Sequence, residues 1–348
     1  MKIGIVNDMP LALEALRRVL SLDNRHQVIW AAKDGADALA LSAVHRPDLV
    51  LMDLIMPNMD GVEATRQIMS CKPCPILVVT ANVGDNARLV FEAMACGALD
   101  AVDTPYLGTS DPRKNAAPLL TKIDDIERRI RQDNAASIDA EIEVEASATH
   151  PVGLVTIGAS AGGPGALGTV LGGLPANFKA ALVVIQHVDD MFVNGMAEWL
   201  NQRSALPVRL AREGDRLEAG VVLLAGTGGH LVLKDRRRLG YTSEPRDSVY
   251  KPSIDVFFGS VCRHLSGIAV GVLLTGMGAD GARGLKAMRD KGHYTVAQNQ
   301  ATSTVYGMPK AAAALGAAVD ILPVQAIAPR LASVLAGCNH SGERHGVA

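Results

Sequence analysis

The sequence predicts an α/β protein of two domains, each built on a mostly parallel sheet. The chain has 348 residues, which exceeds the roughly 100–200 residues of a typical domain. Short apolar strand patterns alternate with helical patterns along both halves, as in sheets covered by helices on both faces. Hydrophobic residues make up 48% of the chain and aromatic residues only 3%, so aliphatic and small residues must build the cores.

The first half contains five strand patterns, each followed by a short connection. They are KIGIV (2–6), QVIWA (27–31), DLVLM (48–52), PILVVT (75–80) and ALDAV (98–102). Helical periodicity is present between them, in PLALEALRRVL, DGADALALSAV, DGVEATRQIM and NARLVFEAMACG. Five such units predict one parallel sheet with helices on both faces.

An amphipathic segment and a polar stretch separate the halves. Residues 117–133 carry apolar side chains at helical spacing, namely Leu120, Ile123, Ile126 and Ile130. This helix either closes the first sheet or starts the connection. Residues 134–150 are small, acidic and aperiodic, which is typical of a linker. We therefore expect domains at 1–133 and 151–338, followed by a disordered tail at 339–348.

The second half repeats the alternation. Strand patterns lie at 152–158, 180–187, 220–226, 268–276 and 294–298, and helices are predicted at 189–203, 253–265, 280–291 and 308–316. The segment GHLVLKD/RRRLGYTS predicts a hairpin. Its KDRRR run (234–238) is more simply a solvated turn than a docking patch. The pattern predicts a doubly wound, mostly parallel sheet.

Bulk properties exclude several classes of protein. The formal net charge is −2, which argues against binding nucleic acid through bulk charge. No apolar run reaches the ~20 residues that span a bilayer, and no signal peptide is evident, so we expect a cytoplasmic protein without direct membrane insertion. The five cysteines are scattered, so a disulfide framework is not expected. CKPC (71–74) precedes a strand instead of opening a helix after one, which argues against a redox pair.

Polar residues follow the strands of the first sheet where ligands bind to parallel sheets. They are Asn7, Asp8, Asp53, Thr80 and Thr104. Carboxylates at neighbouring strand ends can hold Mg²⁺, and an aspartate can accept a phosphoryl group covalently. A single aspartate after a strand is otherwise a helix N-cap. Asp8 fits that alternative well, whereas Asp53 does not obviously fit it.

The stretch LVTIGASAGGPGALG can be interpreted in two incompatible ways. Gly163, Gly165 and Gly168 match a dinucleotide fingerprint, while the G-x-S-x-G spacing around Ser160 matches a nucleophile turn. Fingerprint glycines must begin at the end of the strand. The strand is predicted to end near Gly158, so Gly163 comes about five residues late and Ser160 lies at the turn.

A serine nucleophile needs a base and a group that orients the base. His187 ends the next predicted strand, and Asp280 follows the glycine-rich turn after another, so the three groups could meet at one edge of the sheet. Either partner alone could be structural, as a hydrogen-bonded histidine or an N-cap. The other histidines considered, His230, His264 and His293, lack a comparable setting, and no ligand pair has zinc spacing. A nicotinamide-dependent reductase would need an acid where His187 lies, and Asp189 is too far along.

The first half resembles a response-regulator receiver domain over its whole length. The motifs are LMDLIMPNMDGVEATRQIM, VVTA and GALDAVDTP. The resemblance implies a flavodoxin-like (βα)5 fold with Asp53 as the phosphoacceptor. It also implies that Asp8, Asp53 and the Ile55 carbonyl bind Mg²⁺ and that Thr80 contacts the phosphoryl group. Two positions depart from the pattern, because Asn7 replaces a second acid and Thr104 replaces a lysine. These changes should weaken the binding of Mg²⁺ and of phosphate.

Residues 152–336 resemble the catalytic domain of the CheB family of chemotaxis protein-glutamate methylesterases. The motifs are IGASAGGP, VIQHV, KPSIDVFF, LLTGMGADGA and QNQATSTVYGMPKAA. The resemblance implies that Ser160 is the nucleophile, His187 the base, Asp280 its orienting carboxylate and the Met277 N–H an oxyanion donor. No cofactor is implied for the esterase reaction.

The same resemblance implies partners and a mode of control. The substrate would be a glutamate γ-methyl ester of a chemoreceptor, with glutamine deamidation as a related activity, and a histidine kinase would phosphorylate the receiver to relieve a block. VNDMPLALEALRR and AVDTPYLG further resemble the WspF subgroup, which acts in surface sensing through a diguanylate cyclase. The alternative from another class is a catalytically idle protein that only docks receptors.

Overall fold

A computed structural model describes residues 1–106, 112–133, 153–226 and 228–340. The chain divides into two compact units, Met1–Ala135 and Ala136–Ala348. The linker predicted at 134–150 lies outside the described residues.

The first unit contains a five-stranded sheet in the order β2-β1-β3-β4-β5, and all its neighbouring strands are parallel. The strands are β1 (Lys2–Val6), β2 (Gln27–Ala32), β3 (Leu49–Met52), β4 (Ile76–Thr80) and β5 (Asp100–Asp103). Each predicted strand is present, with its ends shifted by at most two residues. The predicted (βα)5 architecture is confirmed.

Five helices in the described part of this unit cover the sheet, and local capping sets where several of them begin. They are α1 (Pro10–Ser21), α2 (Gly35–Val44), α3 (Gly61–Cys71), α4 (Ala87–Ala95) and α5 (Pro112–Asp133). The Asp34 carboxylate accepts the Asp37 N–H at the start of α2, and the Asp60 carboxylate accepts the Glu63 N–H at the start of α3. These bonds satisfy N–H groups that the helix itself leaves free.

Helix α5 closes the first sheet, which decides between the two roles left open by the sequence. Leu119, Ile123 and Ile126 are buried in the same core as Ile3 and Leu16. The helix begins five residues before the predicted segment, at Pro112.

The second unit contains a seven-stranded sheet in the order β14-β13-β12-β6-β7-β9-β8. All its pairs are parallel. The strands are β6 (Leu154–Ala159), β7 (Ala181–Gln186), β8 (Val208–Leu210), β9 (Val222–Leu224), β12 (Ala269–Leu273), β13 (Tyr294–Gln298) and β14 (Asp320–Leu322). The edge strands β8 and β14 were not predicted, because three residues are too few for a periodic signal.

The predicted hairpin is confirmed as β10 (His230–Leu233) paired antiparallel with β11 (Leu239–Thr242). Its apolar residues join the core of the second unit, and the Leu233 N–H donates to Ser260 Oγ at 2.9 Å. Residues 234–238 at its turn are all exposed. The KDRRR run is therefore a solvated turn.

The helices of the second unit are α6 (Gly163–Gly172), α7 (Asp190–Asn201), α8 (Ile254–His264), α9 (Ala282–Asp290), α10 (Met308–Ala314) and α11 (Val324–His340), with a 3₁₀ turn at Gln300–Thr302. Helix α11 was not predicted. It extends to His340, two residues into the predicted tail at 339–348, and residues 341–348 lie outside the described residues. Among the described helices, none is long and apolar enough to cross a membrane.

Candidate active site

Ser160 lies directly after the central strand of the second sheet. Strand β6 ends at Ala159, and the Ser160 N–H donates to the Thr275 carbonyl at 3.0 Å, next to the neighbouring strand β12. Only 7% of Ser160 is exposed. The serine is therefore fixed by its backbone at the carboxyl edge of the sheet.

The glycines of the alternative dinucleotide fingerprint lie in a helix instead of a loop. Gly163, Gly165 and Gly168 all belong to α6. The tight turn is made by Gly162, whose φ of 73° is in the left-handed region. A fingerprint loop would need these glycines before the helix, where the backbone can approach a pyrophosphate. The geometry excludes that interpretation.

The turn at Ser160 differs from the strained elbow of α/β-hydrolases. Among the described residues, Asn58 is the only non-glycine residue with a positive φ, so Ser160 has an ordinary backbone conformation. The unusual feature is how closely the neighbouring turn approaches the serine. A Cβ on Gly276 would lie 2.8 Å from Ser160 Cβ. The backbone of the turn after β12 therefore lies against the serine.

His187 lies beside Ser160 on the neighbouring strand. Ala159 and Gln186 are register partners in the parallel pair β6–β7, and the His187 N–H donates to the Ala159 carbonyl at 3.1 Å. Ser160 and His187 are thus the next residues of two paired strands, as expected from the strand-end argument.

Gln186 ties these two residues together. Its buried side-chain amide donates to the Ser160 carbonyl at 2.9 Å and to the His187 carbonyl at 3.0 Å. The sequence analysis missed this residue. Its signal was a lone amide inside the apolar run ALVVIQ, where a buried polar group needs partners.

Asp280 reaches the same edge from the turn between β12 and α9. Its Oδ2 lies 2.8 Å from His187 Nε2, and the two side chains are only 5% and 3% exposed. Asp280 also accepts hydrogen bonds from Ser253 Oγ at 2.8 Å, the Ile254 N–H at 2.7 Å and the Asp255 N–H at 3.1 Å. Four donors therefore surround one carboxylate.

This setting keeps Asp280 ionised. Burial alone would raise its pKa, but the hydrogen bond and charge of His187 and the N–H groups of Ile254 and Asp255 together lower it below the ordinary value. The carboxylate also lies at the N-terminus of α8, where the helix dipole favours an anion. Asp280 thus carries a stable negative charge against the imidazole.

The bond to Asp280 uses His187 Nε2 and leaves Nδ1 as the nitrogen available to act as a base. Nδ1 is buried and has no hydrogen-bond partner within the described part of the chain. Serine proteases use the two ring nitrogens in the opposite sense. No Ser160–His187 hydrogen bond occurs among the described residues, and such bonds commonly form only when substrate is present.

His230 and Ser253 form hydrogen bonds that hold the Asp280 side of the His187–Asp280 pair, a role that the sequence did not predict for them. His230 Nδ1 accepts the Ser253 N–H at 3.1 Å, and His230 Nε2 lies 3.1 Å from the Pro245 carbonyl oxygen. Ser253 is both the N-cap of α8 and a donor to Asp280. The motif KPSIDVFF therefore supplies the donors that hold the carboxylate.

The Met277 N–H lies in the turn next to Ser160. The preceding Gly276 carbonyl accepts the N–H groups of Gly307 at 3.0 Å and Met308 at 2.9 Å, which fixes this turn. Within the described residues, the Met277 N–H donates to no acceptor. It is thus free to donate to an oxygen bound near the serine.

Asp53 lies at the carboxyl edge of the first sheet, directly after β3, and is 8% exposed. Its Oδ2 accepts a hydrogen bond from Asn7 Nδ2 at 2.9 Å, and its Oδ1 accepts the Leu54 N–H at 2.7 Å. Burial raises the pKa of Asp53 above its ordinary value, and the Asp8 charge adds to this effect. The carboxylate is thus held in place but less well stabilised than Asp280.

The residues expected around Asp53 lie at the same edge. Thr80 ends β4, and its Oγ1 accepts a hydrogen bond from Asn86 Nδ2 at 3.0 Å. The Thr104 N–H donates to the Thr80 carbonyl at 2.8 Å. Asp8 and Ile55 are exposed.

The donor set fits a hard divalent cation. Two carboxylates, Asp8 and Asp53, are close enough for the charge of one to raise the pKa of the other, and oxygen ligands of this kind suit Mg²⁺. The Asn7 side chain accepts the Met9 N–H through Oδ1 at 2.9 Å and donates to Asp53 through Nδ2. The amide that replaces the usual acid therefore orients Asp53.

Two family models match the chain. The response regulator receiver domain matches residues 3–107, and the CheB methylesterase matches residues 155–331. In structure, the second unit is similar to the CheB methylesterase catalytic domain of Thermotoga maritima. That similarity has a TM-score of 0.51 and 31% identity, and it covers 52% of this chain and 97% of that one.

Curated relatives match over nearly their whole length. A protein-glutamate methylesterase/protein-glutamine glutaminase of Pseudomonas savastanoi pv. phaseolicola is 58% identical over 337 residues, 96% of this chain and 99% of the relative. A relative from Pseudomonas putida, from a group 3 operon, is 57% identical over 97% of this chain and 100% of its own length. The chain therefore belongs to the CheB methylesterase family, with a response-regulator receiver domain ahead of its methylesterase domain.

Proposed function

We propose that this chain is a phosphorylation-regulated protein-glutamate methylesterase that acts on chemoreceptors and also deamidates glutamines. The observation that carries the proposal is the buried His187–Asp280 pair, 2.8 Å apart, whose free Nδ1 lies at the strand end beside Ser160. A serine hydroxyl becomes a useful nucleophile when an oriented base takes its proton.

The reaction follows from these positions. Nδ1 of His187 takes the proton of Ser160 Oγ as the oxygen attacks the ester carbonyl carbon of a glutamate γ-methyl ester. The resulting tetrahedral oxyanion accepts a hydrogen bond from the Met277 N–H. The imidazolium then protonates the departing methoxide, which leaves as methanol, and Asp280 stabilises the positive ring meanwhile.

Water completes the cycle. Nδ1 takes a proton from water, whose oxygen attacks the acyl-enzyme, and the ring returns that proton to Ser160 Oγ as the free glutamate carboxylate leaves. With a glutamine substrate, ammonia leaves in the first stage in place of methanol.

Control comes from the receiver domain. A histidine kinase transfers a phosphoryl group to Asp53. Asp8, Asp53 and the Ile55 carbonyl would hold Mg²⁺, which would supply positive charge next to that group. The hydroxyl of Thr80 then contacts a phosphoryl oxygen. Phosphorylation shifts the population of the whole chain from a blocked state to an active one.

Methanol release from a methylated receptor tests the chemistry. Ser160→Ala should abolish release while receptor docking and thermal unfolding stay unchanged. Ser266→Ala, at an exposed serine of the same unit, is the matched control and should keep the parent rate. Retained release by Ser160→Ala would rule out the serine mechanism and favour the alternative in which this chain only docks receptors.

The Asn7 and Thr104 positions support a WspF-type role in surface sensing, in which the kinase drives a diguanylate cyclase. Loss of the methylesterase would leave receptors methylated and the kinase active. Deleting the gene should therefore raise cyclic diguanylate. An altered swimming bias with unchanged cyclic diguanylate would indicate a chemotaxis pathway instead.

A further inference from the structure

Tyr250 lies against the candidate base. Its ring is stacked on the imidazole of His187, with 4.4 Å between the ring centroids and 11° between the ring planes. Tyr250 is half-buried and comes just before the segment that supplies the donors to Asp280. Nearly parallel rings at this separation interact through their faces.

This stack supplies an orientation that the hydrogen bonds do not. His187 is held at Nε2 by Asp280, but Nδ1 has no partner among the described residues. A ring bonded at one nitrogen can still tilt about that bond. The face of Tyr250 removes this freedom, so the lone pair of Nδ1 stays in a fixed direction.

The stacking interaction between Tyr250 and His187 also becomes stronger during the reaction. When Nδ1 accepts the serine proton, the imidazole becomes a cation, and the negative face of an aromatic ring attracts a cation more strongly than a neutral ring. An interaction that strengthens along the reaction lowers the barrier without tightening the binding of substrate.

We infer that Tyr250 is a positioning residue for His187, which it orients and whose protonated form it stabilises through the stacked face of its ring. This inference rests on the proposed serine mechanism. It assigns this role to the face of the aromatic ring at position 250.

Two substitutions separate the ring from other properties of the side chain. Tyr250→Phe keeps the face of the ring, whereas Tyr250→Leu removes it at similar bulk. Tyr294→Leu is the matched control. Tyr294 is the first residue of β13 and therefore lies at the amino ends of the strands, away from the candidate site at their carboxyl ends. Thermal unfolding of each full-length variant reports whether the fold is kept.

The probe is a fluorophosphonate, which modifies a serine hydroxyl that a neighbouring base activates, so that no receptor is needed. Tyr250→Leu should react roughly 3- to 30-fold more slowly, the range expected for a cation–π contact. Tyr250→Phe and Tyr294→Leu should stay within about twofold of the parent. With methylated receptor, Tyr250→Leu should lower kcat by a similar factor while KM stays within about twofold.

A spectroscopic readout tests orientation directly. The proton between His187 Nε2 and Asp280 should give a downfield resonance in the parent and in Tyr250→Phe. In Tyr250→Leu the resonance should broaden or disappear, while the unfolding midpoint stays unchanged.

Parent rates in a folded Tyr250→Leu variant would overturn the inference, as would a Tyr250→Phe variant as slow as Tyr250→Leu. If Ser160→Ala reacted with the fluorophosphonate as fast as the parent does, the proposed function would be overturned instead. The two failures are thus distinguishable.

Discussion

The two sheets each place a buried aspartate directly after a strand, and the surroundings give the two carboxylates opposite properties. Asp280 accepts four hydrogen bonds at the start of α8, and its pKa is lowered. Asp53 also has hydrogen-bond donors, but burial and the nearby Asp8 charge raise its pKa. A similar position therefore yields a permanent counter-ion in one unit and, in the other, an anion that a cation would stabilise.

The difference lies in what each carboxylate must do. In the proposed mechanism Asp280 stays charged while His187 gains and loses a proton, and its fixed donors favour that charge. In the proposed phosphotransfer Asp53 accepts the phosphoryl group and shares its charge with a metal ion, which the neighbouring Asp8 charge makes favourable. Residues that contact the carboxylates, more than the fold, set these roles.

The largest expected effect tests Asp280. Asp280→Asn should lower kcat for methyl-ester hydrolysis by roughly 10³- to 10⁴-fold, the size seen for the equivalent change in serine proteases, because an amide cannot stabilise the imidazolium as a carboxylate does. Methanol release is the measurement, and Asp290→Asn, at an exposed aspartate of α9, is the control. A loss below tenfold would show that the counter-ion is not needed.

The next effect tests Asp53. Asp53→Asn should remove activation by a small-molecule phosphodonor with Mg²⁺ and leave basal hydrolysis unchanged, because an amide cannot accept the phosphoryl group. Rates with and without phosphodonor provide the measurement. Asp125→Asn in α5 should be activated like the parent, and equal activation of Asp53→Asn would contradict the assignment.

A third prediction concerns Asp255, whose pKa is raised to about 6 by burial and by the charge of Asp280. Its folded-state pKa lies above the ordinary 3.8, so it stabilises the fold at low pH and this contribution is lost as the pH rises from about 4 to about 6. The pH dependence of the Asp280 contribution has the opposite sign, because the pKa of Asp280 is lowered in the fold. Its carboxylate stabilises the fold above the ordinary pKa, and this contribution is lost as the pH falls below that value.

Denaturant titrations across this range measure the effect. In the parent, the free energy of unfolding should fall between pH 4 and pH 6 as Asp255 ionises. In Asp255→Asn this fall should be smaller by about 1–2 kcal/mol. Asp247→Asn, at an exposed aspartate, should keep the parent slope. An unchanged slope in Asp255→Asn would mean that this carboxyl does not titrate there.

The smallest effect tests Asn7. Asn7→Asp should tighten Mg²⁺ binding by the full chain roughly threefold to tenfold, because a third carboxylate is added next to Asp8 and Asp53. Calorimetric titration with Mg²⁺ measures this, and Asn24→Asp, at an exposed site, is the control. Weaker binding in Asn7→Asp would show that the amide contact to Asp53 matters more than the added charge.

The sequence predicted the parts of both sites that follow from strand order. Ser160 and His187 end neighbouring parallel strands, so their proximity could be inferred from two apolar runs. The contact between Asp280 and the N-terminus of α8 joins residues 26 positions apart through a turn whose path no periodicity encodes. The supports Ser253, His230 and Tyr250 were missed for the same reason, whereas Gln186 was visible as a lone amide at the end of its apolar strand.

The fold shows the same division. Most of the longer apolar strands and amphipathic helices were predicted within a few residues, although α11 was not. β8 and β14 are three-residue edge strands defined by their neighbours. Capping bonds set helix starts that hydropathy alone leaves uncertain, as at Asp34 and Asp60.

Methanol-release kinetics of combined variants show whether Ser160, His187 and Asp280 act as one unit. If they do, His187→Ala combined with Asp280→Asn should be no slower than His187→Ala alone, because a carboxylate without its imidazole has nothing left to orient. If the two losses of rate multiplied in the double variant, His187 and Asp280 would act independently of each other.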